Sequence, residues 1–407
     1  MGPSHHSPLK RSYRLIDSPP HSLPSKLLEA FYPLYLTSIA SLTHSISLFQ
    51  FHFLFMELIP GLPNDVGLEC LIRIPYSQFS SAASVSRSWK SEIELPLFRS
   101  HRKSAGLSRR IVVMVQSQVN LKKQQGLRKY MAPPVYRLTV YEPETGDWSE
   151  LPPIPGFSDG LPYFCQISPV GYNLVVMGGL NPENWDASNF VFVYNFMSAT
   201  WRRGPDMPGC TRSFFGCASD NDRRVFVAGG HDNEKNALRS GMMYDVADDK
   251  WALLPDMADE RDECKGAFSN GKFYVIGGYN TLMQGQFGTS AEAFDLSTWQ
   301  WDPTDDEFLG ADTCPRTCVD GGDGVMYMYQ DGAVVALDHS SKTRIPNDMD
   351  SVPCIIECEG KLLAVGSVGF GKGHGVYVLD LKSRTWTKAE VPAEFSGHVQ
   401  SGCCLEI

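Results

Sequence analysis

Few residues in this 407-residue chain could carry reactive chemistry, and their spacing argues against it. From residue 108 onward the histidines are His231, His339, His374 and His398, and no two stand at metal-ligand spacing. The eleven cysteines contain no Cys-x-x-Cys pair. Cys314/Cys318 and Cys354/Cys358 stand four apart without a nearby histidine, and Cys403 and Cys404 are adjacent. The expectation is buried free thiols in a reducing compartment, with no metal and no cofactor. Gly366 to Gly375 is glycine-rich and holds Lys372, but it opens no helix as a phosphate cradle does, so it reads as a loop. Asp302, Asp305, Asp306 and Glu307 form an acidic run that reads as a solvated loop rather than a cation site. No nucleophile–base pair is evident, so no catalytic residue is assigned and the chain is not expected to be an enzyme.

The scaffold that would position any site is repetitive. Trp148, Trp201, Trp251 and Trp301 lie 53, 50 and 50 residues apart, and Gly178-Gly179, Gly229-Gly230 and Gly277-Gly278 lie 51 and 48 apart. Each glycine pair ends an apolar run, at 174–177, 224–228 and 273–276, and a loop then leads to a second run at 190–194, 241–245 and 291–295. Runs this short, rich in β-branched and aromatic residues and bounded by glycine, are strands. One small sheet cannot bury both faces, and radial stacking of several can. Degenerate units at 314–345 and 353–386 extend the series, and strands at 110–116 and 136–141 precede Trp148. That first unit lacks an inner strand, and residues 398–405 (HVQSGCCL) resemble the inner strands of other units. The expected architecture is therefore mainly β: a six-bladed β-propeller over 108–407, closed by the C-terminal strand, which removes its exposed edges.

On that scaffold Arg212, Arg261 and Arg316 each precede an inner strand. A guanidinium there can read a partner's carboxylate through forked hydrogen bonds, or bond neighbouring carbonyls as a structural staple. The loops after the glycine pairs differ in length and residue type, which is where specificity resides on a rigid frame, and Trp185, Asn233 and Phe287 are candidate contacts. The net charge of −10 and pI near 5.5 argue against nucleic acid as the main partner.

Residues 56–100 read differently. Asn64 and Asp65 open an apolar pattern of helical period through Val66, Leu68, Leu71, Ile72 and Ile74 that Pro75 stops. Phe79, Ala82, Ala83, Val85 and Trp89 follow, then Ile93, Leu95, Leu97 and Phe98, giving two or three short helices. Residues 1–55 hold few acids, and their apolar stretch is broken by serine and histidine. They read as a disordered extension or a mispredicted start before Met56, rather than as a signal or membrane segment.

Leu62-Pro63-Asn64-Asp65, Ile74-Pro75, Val85-Ser86-Arg87-Ser88-Trp89 and Leu97-Phe98 together resemble an F-box. Strands ending in Gly-Gly, the Tyr244-Asp245 pair and the spaced tryptophans resemble the kelch repeat. The combination resembles the plant F-box/kelch-repeat family, and the segment MELIPGLPNDVGLECLIRIPY is similar to the subgroup that targets phenylalanine ammonia-lyase, with relatives acting on type-B response regulators of cytokinin signalling. The resemblance implies a substrate-recognition subunit of a Skp1–cullin–F-box ubiquitin ligase, in the cytoplasm or nucleus. Leu62, Pro63, Val66, Leu71, Ile74, Pro75, Val85 and Trp89 would contact the Skp1-type adaptor, and the propeller would hold a target for proteasomal degradation, with phenylpropanoid metabolism as one controlled process. The alternative is a scaffold or sequestering protein without ligase coupling. Neither nucleic acid nor membrane is an expected partner.

Overall fold

The computed structural model describes residues 57–119, 133–311, 313–369 and 372–407. The extension expected at 1–55 lies outside them. The chain divides into two compact units, one up to Gly67 and one from Leu68 to Ile407. Four short helices lead the described chain: α1 (Asn64–Ile72), α2 (Phe79–Val85), α3 (Arg87–Glu94) and α4 (Pro96–Ser104). Two or three helices ending near residue 100 are expected, and the fourth runs on to Ser104. Pro75 ends the first helical run because its ring removes an N–H and clashes with the preceding turn. Ser86, extended in backbone, accepts the Trp89 N–H at 3.1 Å and starts α3.

Within the second unit the helical core is Leu71, Ile72, Phe79, Ala82, Ile93 and Phe98, with the Phe79 and Phe98 rings edge-to-face at 5.7 Å. Buried Arg102 closes it. Its guanidinium lies 4.8 Å from the Phe79 ring and donates to the carbonyls of Ile72, Ile74 and Leu107. The proline break strands such carbonyls, and a buried acceptor without a partner is costly.

From Arg110 on, six four-stranded antiparallel sheets follow one another, and each is a propeller blade. Blade 1 joins the chain's two ends: Val399–Glu406 pairs with Arg110–Ser117, which pairs with Tyr136–Tyr141 and then Trp148–Glu150. The inner strands of blades 2 to 6 are Gln166–Val170, Gly216–Ser219, Lys265–Ser269, Val319–Asp320 and Ser351–Cys358. Each packs on the next, and Ser351–Cys358 packs on Val399–Glu406, so the ring closes. The expected six blades and C-terminal closure are both present, with strand ends shifted by a residue or so (the run at 190–194 is the strand Val191–Asn195).

Apolar side chains meet between blades. Val175 and Val193 of blade 2 cluster with Val225, Val227 and Met242 of blade 3, and Val112 and Tyr141 of blade 1 with Ile356, Leu363 and Val376 of blade 6. Second and third strands are covered on both faces, which explains unbroken runs such as 174–177 rather than alternation. The outer tryptophans fasten the ring. The indole N–H groups of Trp201, Trp251 and Trp301 donate to the carbonyls of Pro152, Pro205 and Pro255 just beyond the preceding blade, at 3.0, 2.9 and 2.7 Å. Trp386 donates to Arg344 O and Trp148 to Glu390 O in the same way. Blade 5, whose outer strand Lys342–Arg344 has no tryptophan, makes no such bond.

Inner strands crowd at the axis, so small residues are required there. Each blade places one thiol at or beside its inner strand: Cys403, Cys165, Cys217, Cys264, Cys318 and Cys354. Burial pushes Cys165 and Cys318 up to about 12 and Cys217, Cys264 and Cys354 up to about 11, so these are inert packing groups. The expectation of buried free thiols needs two corrections: Cys70, Cys210 and Cys314 are exposed, and two other cysteines are not free. Cys358 and Cys404, with Cα atoms 5.5 Å apart, form a disulfide between the inner strands of blades 6 and 1. They lie 46 residues apart in sequence, and ring closure brings them together.

Candidate partner-binding faces

Every inner strand runs from one face of the ring to the other, so the connections sort by face. Turns between inner and second strands and between third and outer strands lie on one side. The loops after the glycine pairs and the blade-to-blade connections lie on the opposite side. The helices of the second unit meet the first side. Tyr76 hydroxyl donates to Glu142 in the third-to-outer turn of blade 1, Arg99 lies over the Tyr172 ring in the inner-to-second turn of blade 2 at 5.4 Å, and Lys103 pairs with Glu406 at 3.0 Å. Burial and the Glu142 carboxylate both raise the Tyr76 hydroxyl.

The expected adaptor contacts divide by exposure. Leu71 is fully buried and acts from the core. Ile74 and Trp89 are half-buried and Pro75 is exposed. Val85 is 64 % exposed, and Leu97, which the expected set omitted, is 58 % exposed. In the first unit Leu62 is half-buried, and Pro63 and Val66 are exposed.

On the loop side, two expected target contacts need correction. Arg212 donates to the carbonyls of Gly229 and Ser240 and to Ser240 Oγ, at 3.1, 3.2 and 2.9 Å. Arg261 makes the equivalent bonds to Gly277, Ser290 and Ser290 Oγ, and adds Glu292 at 3.2 Å. Both are buried staples inside their own blades and present nothing to a partner. Arg316 is exposed, pairs with Glu263 at 2.9 Å and sits at the channel mouth. Trp185 is 60 % exposed against Tyr163, Asn233 is exposed, and Phe287 packs half-buried on Tyr279. These three occupy successive blades. Phe287 lines a groove of about 660 Å³ with Met283 and Leu282, and Leu282 is 92 % exposed; sequence reading passed over both neighbours.

The glycine pairs hold these loops close to the ring. A methyl on Gly179, whose φ is +96°, would come within 2.7 Å of Tyr163 O in its own blade, and one on Gly178 within 2.8 Å of the Phe215 ring of the next. Side chains therefore cannot replace either hydrogen where blades meet.

A second arrangement was invisible in sequence. His231 accepts or donates at Ser213 Oγ through Nε2 (2.8 Å), and its Nδ1 faces both Asp262 oxygens at 2.8 Å. Ser, His and Asp in this order match the hydrogen-bonding of a hydrolytic triad. Ser213 is fully buried, however, and Lys235 Nζ also meets Nε2 at 2.9 Å, so this hydroxyl is closed off from the surface. The network joins blades 3 and 4 and fixes the residue after each terminal member. Phe214 and Glu263 have φ of +55° and +49°, as does Phe164 at +59°, and all three line the channel mouth. Left-handed backbone at such residues costs on the order of 1–3 kcal/mol each and persists only where neighbours enforce it. Ring stacking of Phe214 on His231 at 5.5 Å and the Glu263 N–H bond to Asp262 at 2.8 Å supply that enforcement.

Among the described residues, no group of three or more His, Cys, Asp and Glu side chains is placed to hold a metal, and no helix is long and apolar enough to cross a membrane.

The Kelch motif model matches residues 163–208, 211–258 and 261–304, which are blades 2, 3 and 4. The F-box/kelch-repeat protein At1g80440 of Arabidopsis thaliana is 48 % identical over 362 residues, covering 86 % of this chain and 100 % of that protein. This chain belongs to the plant F-box/kelch-repeat family. A second Arabidopsis thaliana member, At1g15670, is 47 % identical over 359 residues with the same coverage, and SKIP20 is 35 % identical over 64 % of this chain and 69 % of its own. The helices at 64–104 are consistent with the F-box of this family, and the six-bladed propeller carries its kelch repeats.

Proposed function

We propose that this F-box/kelch-repeat protein is the substrate-recognition subunit of a Skp1–cullin–F-box ubiquitin ligase, without catalytic residues of its own. The observation that carries this reading is the separation of faces. The helices of the second unit bind one side of the ring and leave Val85 and Leu97 exposed, while the variable loops and channel mouth occupy the other. A rigid propeller can then hold a target on one side while the ligase is engaged on the other. Leu62, Pro63 and Val66 of the first unit join the adaptor contacts through the F-box resemblance. The similarity of the segment from Met56 to Tyr76 makes phenylalanine ammonia-lyase the first candidate target and a type-B response regulator the second. The cytoplasm and nucleus are the matching compartments.

The test is co-purification of the tagged protein from plant cells under proteasome inhibition. A Skp1-type subunit should accompany the parent and be lost from a Val85→Glu/Leu97→Glu variant, and the lifetime of the captured target should lengthen. Target capture with unchanged target lifetime in that variant would point to a sequestering scaffold instead. Labelling of Ser213 by a fluorophosphonate would reopen catalysis.

A further inference from the structure

The mouth of the central channel holds charge that the fold does not use. Lys265 opens the inner strand of blade 4 and lines a cavity of about 100 Å³ with Phe164, Phe214, Glu263, Arg316 and His398. Among the described residues its ammonium has no hydrogen-bond or ion-pair partner, although the side chain is half-buried. It lines this cavity together with Cys217 and Cys354 of the inner strands of blades 3 and 6, which places it at the axis. Arg316 lines the same cavity with one carboxylate partner, Glu263, which also accepts the Tyr279 hydroxyl at 3.0 Å. Burial, and then the charge of Arg316, lower His398, so it adds no cation at neutral pH. The Phe164 and Phe214 rings, 4.6 Å apart, form an apolar wall beside the two cations.

We propose that this mouth binds the carboxylate of an Asp or Glu side chain on an extended segment of the target protein, with Lys265 and Arg316 as its partners and the Phe164/Phe214 pair against its stem. The cavity, about 100 Å³, has room for a carboxylate. The chain's net charge of −10 repels anions at long range. Screening over about 8 Å at physiological salt leaves the choice to these local cations. Lys265 opens its inner strand where the neutral residues Gln166 and Gly216 open those of blades 2 and 3.

This inference rests on the propeller being the target-binding domain, and the experiment separates the two. A displayed peptide library is selected on the full chain bound to its Skp1-type adaptor, then on Lys265→Ala/Arg316→Ala and on Trp185→Ala/Leu282→Ala variants that melt like the parent. Parent selection should enrich Asp or Glu at one fixed position. Affinity for the selected peptide should fall about 10- to 100-fold in the Lys265→Ala/Arg316→Ala variant, as expected for losing charge-assisted bonds. Lys265→Glu/Arg316→Glu should enrich Lys or Arg instead. Peptides without a fixed acid, or affinity unmoved by the cation variants but lost in Trp185→Ala/Leu282→Ala, would overturn the carboxylate site while leaving target binding intact. Tighter binding of a phosphoserine version than of the Asp version would overturn it in favour of phosphate. Failure of every propeller variant to alter capture would refute target binding by the propeller, and this site with it.

Discussion

Arg261 decides whether the recurring arginines serve the fold or a partner. Its guanidinium bonds Glu292, whose side chain is 1 % exposed, together with two carbonyls and a hydroxyl. In Arg261→Met the carboxylate stays buried and keeps only the backbone N–H groups of Ala258 and Asp259, at 2.7 and 3.2 Å. Removing one partner of a buried ion pair costs about 3–5 kcal/mol. At about 2 °C per kcal/mol for a domain of this size, the melting temperature should fall by roughly 6–10 °C. Arg212→Met should cost less, about 1–3 kcal/mol, because blade 3 carries Met242 where blade 4 has Glu292 and no charge is orphaned. Adding Glu292→Met to Arg261→Met should recover part of the loss; the N–H groups of Ala258 and Asp259 then lack their acceptor, which limits the gain. Calorimetry on the four proteins, with tryptophan fluorescence in urea as a second probe, measures the series. An Arg261→Met protein that melts with the parent yet no longer holds its target would refute the staple and return the residue to the binding face.

Leu71→Ala should lose about 2–5 kcal/mol of stability by opening a cavity in the helical core, whereas Leu97→Glu should leave the melting temperature unchanged and abolish adaptor capture. Trp251→Phe removes the bond to Pro205 O and should cost about 1 kcal/mol in urea denaturation, with no effect on adaptor capture. Burial, and then the charge of His398, hold the His374 imidazole down at about 4 against its ordinary 6.5. The unfolded chain therefore takes up that proton first, and stability should fall as pH drops from about 6.5 toward 4. His374→Phe should flatten part of that slope in melts at pH 7 and pH 5, the remainder coming from His398. Reducing Cys358–Cys404, which closes a 46-residue separation, should free about 4 kcal/mol of unfolded-state entropy and lower the melting temperature correspondingly in dithiothreitol.

The blades were legible because a propeller writes its period into the chain. Each unit needs its own glycine pair against the neighbouring blade and its own indole N–H for the carbonyl behind it, so Gly178-Gly179 and Trp201 recur as Gly229-Gly230 and Trp251. The closing strand was legible for the same reason, since its small residues and thiols meet the crowding that every inner strand meets. The helices announced themselves through Asn64, Pro75 and an apolar spacing that any short amphipathic helix needs. What sequence spacing could not decide was which polar groups face inward. Arg212, Arg261 and Arg316 occupy similar positions, yet only Arg316 reaches solvent, because the groups that satisfy or expose a guanidinium come from other strands. The Ser213–His231–Asp262 network, the Cys358–Cys404 bond, the Arg102 pin and the unpaired Lys265 likewise depend on residues 18 to 46 positions apart, or on opposite walls of a channel. Local propensity fixes strands and turns, whereas burial and pairing are properties of the closed ring.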